Sequence, residues 1–174
     1  MQHTLVMTII GPDRPGLVER VAALVAAHGG NWLESRMAHL GGQFAGILRV
    51  AIPAGQQPAL VAALRQLEEA GLQVVVQTES AGSPSAVAGR LMHLELVGHD
   101  RPGIVRDISR ALASHGVNVE ELETGCESAP MSGEVLFRAQ AQICVPAECD
   151  LTALRATLEK IASDLIVDLT LREV

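Results

Sequence analysis

The chain contains very few aromatic side chains: one Trp, two Phe and no Tyr among its 174 residues. Basic side chains are also scarce, with 13 Lys and Arg against 20 Asp and Glu, so the formal net charge at pH 7 is −7. Proteins that bind nucleic acid use Lys and Arg to neutralise phosphates and aromatic rings to stack on bases. The composition therefore argues against direct binding of DNA or RNA.

Cysteine and long apolar runs are equally sparse. The three Cys residues form no CxxC pair, so they fit neither a disulfide framework nor a tetrahedral zinc site and indicate a reducing compartment. No apolar run approaches the roughly 20 residues of a membrane span. The first ten residues, MQHTLVMTII, lack the basic start and the cleavage site of a signal peptide. We therefore expect a cytoplasmic protein that does not enter a membrane.

Sequence motifs for catalysis are missing as well. The chain has no GxSxG, GxGxxG, GxxxxGK(S/T) or HExxH motif, so no known pattern for a nucleophile, a phosphate loop or a catalytic zinc is present. Its six His residues do not show metal-ligand spacing. We expect a protein that is not an enzyme, with no cofactor and no metal site.

One long segment is present twice. The first copy begins at Gly11 and reads GPDRPGLVERVAALVAAHGGNWLE; the second begins at Gly98 and reads GHDRPGIVRDISRALASHGVNVEE. Matched residues are 87 positions apart as far as Asn31 and Asn118, so nothing is inserted within this part. Such a duplication predicts two similar domains, which we call the first and second repeats.

The second repeat becomes longer beyond its Asn. The two Phe residues of the chain are 93 positions apart, so the second repeat gains six residues. We expect the insertion within 126–133, CESAPMSG, because Ser, Pro and Gly are typical of a longer turn. The segment 79–90, ESAGSPSAVAGR, predicts a linker between a first domain at 1–78 and a second at 91–174.

Hydrophobic spacing predicts the same elements in both repeats. In the first, apolar residues alternate from Leu5 to Ile9 and then recur at helical spacing from Leu17. A Gly41-Gly42 turn joins two further strands, and a helix after Pro58 precedes a last strand. The order βαββαβ with short right-handed crossovers predicts an α+β chain of two tandem ferredoxin-like domains.

The residues that alternate with the core differ between the repeats. In the first repeat they are apolar, whereas in the second they are mostly polar or charged, and the first helix shows a similar contrast. An exposed apolar patch usually marks an interface, so we expect the first repeat to carry the main interface. Its partner is the other repeat, another copy of the chain in a homo-oligomer, or a regulatory partner protein. The apolar set is Val6, Ile10, Ala45, Ile47 and Val75 with Val18, Ala22, Ala23, Ala26 and Ala27; the polar counterparts include His93, Glu95, Arg138, Gln140, Asp168 and Arg172 with Ser109, Arg110 and Ser114.

The DRPG segments allow two interpretations. In each segment a Gly permits a tight turn, an Asp can accept hydrogen bonds from the first helical turn, and a Pro suits a helix start. These residues are Gly11, Asp13 and Pro15 in the first repeat and Gly98, Asp100 and Pro102 in the second. All of this is explained by helix capping alone. Gly16 and Gly103 favour a ligand, because a glycine inside a helix costs roughly 1 kcal/mol relative to Ala unless something approaches the backbone closely.

The ligand interpretation has a defined chemistry. A helix N-terminus favours an anion by about 0.3–1 kcal/mol, which suits the carboxylate of an amino acid. Arg14 and Arg101 can add a charged fork, and Asn31 and Asn118 can offer a side-chain amide to the amino group of the ligand, although an Asn after Gly is more often a turn residue. By contrast, His28 and His115 precede Gly at a helix end and are expected to be structural C-caps.

A βαββαβ unit with GxDRPG after its first strand, HG at the end of its first helix and Asn at its second strand resembles the ACT domain, a regulatory module often tuned to amino acids. Two such units, with NWLESRMAHLGGQF in the first, resemble the glycine cleavage system transcriptional repressor family. ACT ligands commonly lie where the first turn of one unit meets the second strand of another. The resemblance thus implies ligand binding by Gly11, Asp13, Arg14, Gly16 and Asn31 and by Gly98, Asp100, Arg101, Gly103 and Asn118.

The resemblance also implies a function. It points to a non-catalytic regulator of glycine cleavage genes that senses a small amino acid, glycine in particular, and acts through a LysR-type transcription factor as its DNA-binding partner. The alternative is an amino-acid-sensing accessory or regulatory subunit of a metabolic enzyme.

Overall fold

Each repeat forms a four-stranded antiparallel sheet with two helices on one face in the computed structural model of this chain. The structure describes residues 1–79, 89–128 and 134–174. The chain divides into two compact units, 1–83 and 84–174. The linker expected at 79–90 falls largely on residues 80–88, which lie outside the described residues.

The elements of the first repeat follow the expected order. They are β1 (Gln2–Pro12), α1 (Leu17–Ala27), β2 (Asn31–Leu40), β3 (Gln43–Pro53), α2 (Gln57–Arg65) and β4 (Gln73–Thr78). Short 3-10 helices precede and follow α2. The strands lie side by side in the order β2-β3-β1-β4, so β2 and β4 are the edges.

The second repeat has the same topology. Its elements are β5 (Gly89–His99), α3 (Ile104–Ser114), β6 (Asn118–Ser128), β7 (Val135–Pro146), α4 (Leu151–Leu165) and β8 (Val167–Glu173). Its sheet has the order β6-β7-β5-β8. Both repeats therefore confirm the predicted ferredoxin-like fold.

Within the described ranges, no helix has the length and apolar character needed to cross a membrane.

The core of each repeat lies between the sheet and its two helices. Alternate residues of the central strands turn towards the helices and are almost completely buried, as their spacing predicts. Burial of each such aliphatic side chain contributes about 1.5–3 kcal/mol. The central strands supply Leu5, Met7 and Ile9 in the first core and Met92, Leu94 and Leu96 in the second; the first helices supply Leu17, Val21 and Val25 and Ile104, Ile108 and Leu112.

The strand register locates the insertion of the second repeat. In the first repeat Leu40 pairs with Gln43 across a turn of two residues. Their counterparts Glu127 and Leu136 pair across eight residues. The six extra residues therefore extend the β6–β7 hairpin, where the composition of 126–133 predicted them, although 129–133 are not among the described residues.

The apolar surface of the first repeat is divided between two layers. Ile47 lies on the sheet face turned away from the helices, whereas Ala22 and Ala26 lie on α1, which packs against the opposite face. The apolar residues that the sequence groups together therefore lie on two separate surfaces, because the sheet separates its two sides. The outer sheet face carries the larger exposed side chains, with Ile47 49% and Val75 59% exposed.

Candidate functional site

The DRPG segment of each repeat begins inside a strand. Gly11 and Gly98 pair with Phe44 and Phe137 near the ends of β1 and β5, so the expectation that they form a tight turn is wrong. Close packing explains both glycines. A Cβ atom on Gly11 would lie 2.6 Å from the carbonyl oxygen of Gly71, and one on Gly98 would lie 2.8 Å from the Cα of Val167.

The helix caps differ from the expected ones. Gly16 and Gly103 are the N-cap residues of α1 and α3, with φ of 87° and 100°, and neither helix has a side-chain cap. The prediction that Asp13 and Asp100 cap these helices is therefore wrong. Neither Gly16 nor Gly103 requires a close ligand to explain the absence of a side chain, because a positive φ alone favours glycine there.

The turn is tied to the adjacent hairpin in both repeats. The Asp13 amide donates to the carbonyl of Gly42 at 3.0 Å, and the Asp100 amide donates to the carbonyl of Val135 at 3.1 Å. In the first repeat the Asp13 carboxylate also lies 3.7 Å from the Nε2 atom of His39. Its acidic side chain is thus directed to the hairpin and away from the first turn of α1.

The helix N-terminus is open in the first repeat. Apart from its two chain neighbours, no residue that the structure describes comes within 4 Å of the point that a Cβ on Gly16 would occupy. The Arg14 side chain nearby is exposed, and among the residues that the structure describes it has neither a hydrogen bond nor an ion pair. A free guanidinium and an uncapped helix N-terminus are both groups that bind carboxylates.

The same position in the second repeat is occupied by the chain itself. The Arg106 guanidinium donates to the Asp107 carboxylate from Nε at 2.8 Å and from Nη2 at 3.2 Å. A Cβ on Gly103 would lie 3.2 Å from that Nη2 atom and 3.6 Å from Asp107 Oδ2. The hydrogen bond from Arg106 lowers the pKa of the Asp107 carboxyl below its usual value. An ionised carboxylate therefore already lies at the start of α3.

This ion pair was not predicted from the sequence, although a comparison of the two repeats contains a signal for it. The counterparts of Arg106 and Asp107 are Glu19 and Arg20, so the charge order is reversed between the repeats. No ion pair joins Glu19 to Arg20 within the described part of the chain. The two DRPG turns share a backbone shape but differ in electrostatics.

The asparagines lie far from the turns of their own repeats. Asn31 begins β2 and pairs with Ala51, which in turn pairs with Thr4, seven residues along β1 from Gly11. At about 3.3 Å per residue this separation is about 23 Å. Asn118 occupies the equivalent place in β6, where its amide donates to the Glu120 carboxylate at 2.6 Å. One repeat therefore does not bring its Asn and its turn to the same small ligand.

The two histidines are structural, as the sequence indicates. His28 and His115 are the C-caps of α1 and α3. The His28 ring nitrogen Nδ1 lies 2.8 Å from the Leu24 carbonyl oxygen, and His115 Nε2 lies 3.2 Å from the Thr157 hydroxyl. In the described residues no three His, Cys, Asp or Glu side chains group together in a way that could hold a metal ion.

Comparison with known proteins agrees with this architecture. Models of the ACT domain match residues 3–77 and 92–139. The glycine cleavage system transcriptional repressors of Escherichia coli (strain K12) and Shigella flexneri are each 24% identical over 167 residues, which cover 94% of this chain and 86% of theirs.

Two solved structures align along the whole chain. An unknown protein from Galdieria sulphuraria is 32% identical with a TM-score of 0.84, covering 100% of this chain and 99% of that one. A protein assigned provisionally as a glycine cleavage system transcriptional repressor is 19% identical with a TM-score of 0.72, covering 100% of this chain and 98% of that one. The second likeness concerns the fold alone.

Proposed function

This chain belongs to the ACT domain family, and from that premise we propose that it is a non-catalytic regulator that responds to a small amino acid. By its likeness to the glycine cleavage system transcriptional repressors, the ligand is glycine and the controlled genes are those of glycine cleavage. The DNA-binding step belongs to a partner protein, a LysR-type transcription factor.

The open helix N-terminus at Gly16 carries the ligand proposal. A carboxylate at such a terminus gains about 0.3–1 kcal/mol, and a hydrogen bond to a charged guanidinium adds about 1.5–3 kcal/mol. Arg14 follows Asp13 in the same turn and has no partner among the described residues. The site consists of Arg14, Gly16 and the first amides of α1, with Gly11 and Asp13 shaping the turn.

The proposal places the stronger site in the first repeat. In the second repeat the Asp107 carboxylate lies 3.6 Å from the position of a Cβ on Gly103, where it repels a second anion. Arg106 is already paired with it. The turn of the second repeat then has a similar shape but a weaker affinity for the amino acid; it consists of Gly98, Asp100, Arg101 and Gly103. Asn31 and Asn118 can contact only a ligand that is bound at a turn outside their own repeat.

Calorimetric titration with glycine and then with the other amino acids tests the site. We expect about one ligand per chain for the unmodified protein. Arg14→Ala should weaken binding about tenfold or more, which corresponds to about 1.4 kcal/mol. The matched variant Arg101→Ala should leave the affinity unchanged, and Asp107→Ala should add a second, weaker site.

The results separate the parts of the proposal. Two equal sites, or a greater effect of Arg101→Ala than of Arg14→Ala, would contradict the assignment to the first repeat. No heat with any amino acid, at more than one temperature, would remove the sensor function and leave the turn a structural feature.

A pull-down from the protein's own cell extract tests the partner. The tagged chain is used with and without glycine, and bound proteins are identified by mass spectrometry. Glycine-dependent capture of a LysR-type regulator supports transcriptional control. Capture of a metabolic enzyme instead supports the accessory-subunit alternative, and turnover of a metabolite by the pure chain alone would contradict a non-catalytic role.

A further inference from the structure

We propose that the outer sheet face of the first repeat binds the same face of a second copy of this chain. The outer face is the side of the β2-β3-β1-β4 sheet turned away from α1 and α2. This inference is independent of the amino-acid ligand, because the DRPG turn lies beyond the end of β1 and none of its residues belongs to the face.

The centre of this face is apolar and exposed. Ile10, Ile47 and Val75 are 43%, 49% and 59% exposed, and Val6 and Ala45 beside them are partly exposed. Burial of such side chains against a partner is favourable by about 25 cal/mol for each Å² of apolar surface removed from water. An apolar patch on a sheet face is typical of an interface.

The shape of the face suits packing against a copy of itself. One cross-strand row places the small Thr8 between Ile47 and Val75, and the next row places the small Ala45 beside Ile10. Large and small side chains therefore alternate between β3 and β1 in these two rows, which allows two such faces to interdigitate at the usual sheet spacing of about 10 Å.

A depression on the same face provides room for an opposing side chain. It has a volume of about 110 Å³, and Val6, Ile47, Arg36 and Arg49 are among its lining residues. Cavities of about 150 Å³ hold a benzene ring, so one aliphatic side chain of a second copy fits this space.

The dimensions of the sheet agree with a dimer contact. Its long strands have 10 or 11 residues, which gives a length of about 35 Å at 3.3 Å per residue and a width of about 15–20 Å for four strands. The flat area is then roughly 600 Å², and the corrugated accessible area approaches the roughly 800 Å² per partner of a standard interface.

The charge balance of the face suits another copy of this chain as the occupant. The ionised groups around the face are Glu34, Arg36, Arg49 and Glu79, two of each sign, and they pair with one another at 2.9–3.5 Å. The face is therefore neutral although the whole chain carries −7. Two copies that repel each other overall can meet here because neither face carries a net charge.

A basic partner protein would prefer a different surface. The edge strand β6 of the second repeat is exposed along its whole length and carries four glutamates. The row of the second repeat that matches Ile47, Thr8 and Val75 reads Gln140, Glu95 and Thr170 and lacks apolar side chains. It serves as a matched control within the same molecule.

The first test measures mass in solution by light scattering and sedimentation equilibrium at micromolar concentrations. We expect the unmodified chain to be a dimer and Ile47→Glu to be a monomer with native circular dichroism. Gln140→Glu, at the matching position, should remain a dimer. A monomeric unmodified chain, or a dimer that Ile47→Glu leaves intact, overturns the proposal.

A second test does not depend on disrupting the face. Thr8→Cys is placed near the centre of the contact in a Cys126→Ser background, which removes the exposed native thiol, and a short bis-maleimide is added. Covalent dimers are expected from Thr8→Cys and not from the matched Glu95→Cys. Absence of cross-linking with Thr8→Cys, or equal cross-linking of both, contradicts a face-to-face pair centred on Thr8.

Discussion

Gly11→Ala should destabilise the first repeat, because its new methyl group would meet backbone atoms that cannot rotate away. A Cβ at this position lies 2.6 Å from the Gly71 carbonyl oxygen and 3.2 Å from the Cα of Leu72. Adding a carbon to tightly packed surroundings costs about 1–3 kcal/mol. In a domain of this size each kcal/mol lowers the melting temperature by about 4–8 °C.

Differential scanning calorimetry of the full chain measures this effect, and Gly55→Ala is the control. Among the described residues, and apart from the chain neighbours of Gly55, no atom lies within 4 Å of a Cβ placed there, and the φ of Gly55 is not positive. Alanine there should be neutral or stabilise by about 0.4–1 kcal/mol through the unfolded state. If Gly11→Ala melts at the same temperature as Gly55→Ala, close packing is not the reason for this glycine.

Three further outcomes are expected. Asp150→Ala should cost about 0.5–2 kcal/mol in chemical unfolding, because this carboxylate accepts amide hydrogen bonds from the first turn of α4, whereas Asp13→Ala should leave α1 helical. Arg106→Ala should raise the pKa of Asp107 towards its usual value in a carboxyl NMR titration, since Arg106 is the main cause of the lowered pKa; the pair stabilises at pH above the unfolded-state pKa, and this contribution is lost as the pH falls through the lowered one. The purified chain should not shift promoter DNA at moderate salt, given its charge of −7, and a salt-sensitive specific shift by the protein alone would contradict action through a partner.

Much of the fold could be predicted because its signals are local. Alternation in β1 and helical spacing in α1 recur at a constant offset in the second repeat, and both describe which residues face the core. The insertion could also be located from the sequence, because the matched pairs Asn31/Asn118 and Phe44/Phe137 lie on either side of it. These patterns need no knowledge of distant residues.

The candidate site was only partly predictable. The repeated DRPG letters identify a special turn, yet capping by Asp13 was the wrong interpretation because a glycine at positive φ is the actual cap. The reversed charges at Arg106 and Asp107 were visible in the letters, but their position over Gly103 depends on how α3 begins. A letter comparison does not give that geometry.

The order of elements, the two cores and the contrast between an apolar and a polar sheet face follow from the amino-acid sequence alone, because side-chain periodicity and hydrophobic burial depend on neighbouring residues. The contacts between residues distant in the chain are visible in the folded structure and not in the sequence. The folded structure places Asn31 at the end of the sheet opposite the DRPG turn, and it sets Ile47 and Ala22 on different layers. Strand register and layer packing bring together residues that are far apart in the chain. These contacts exist only once the whole sheet of a repeat has formed.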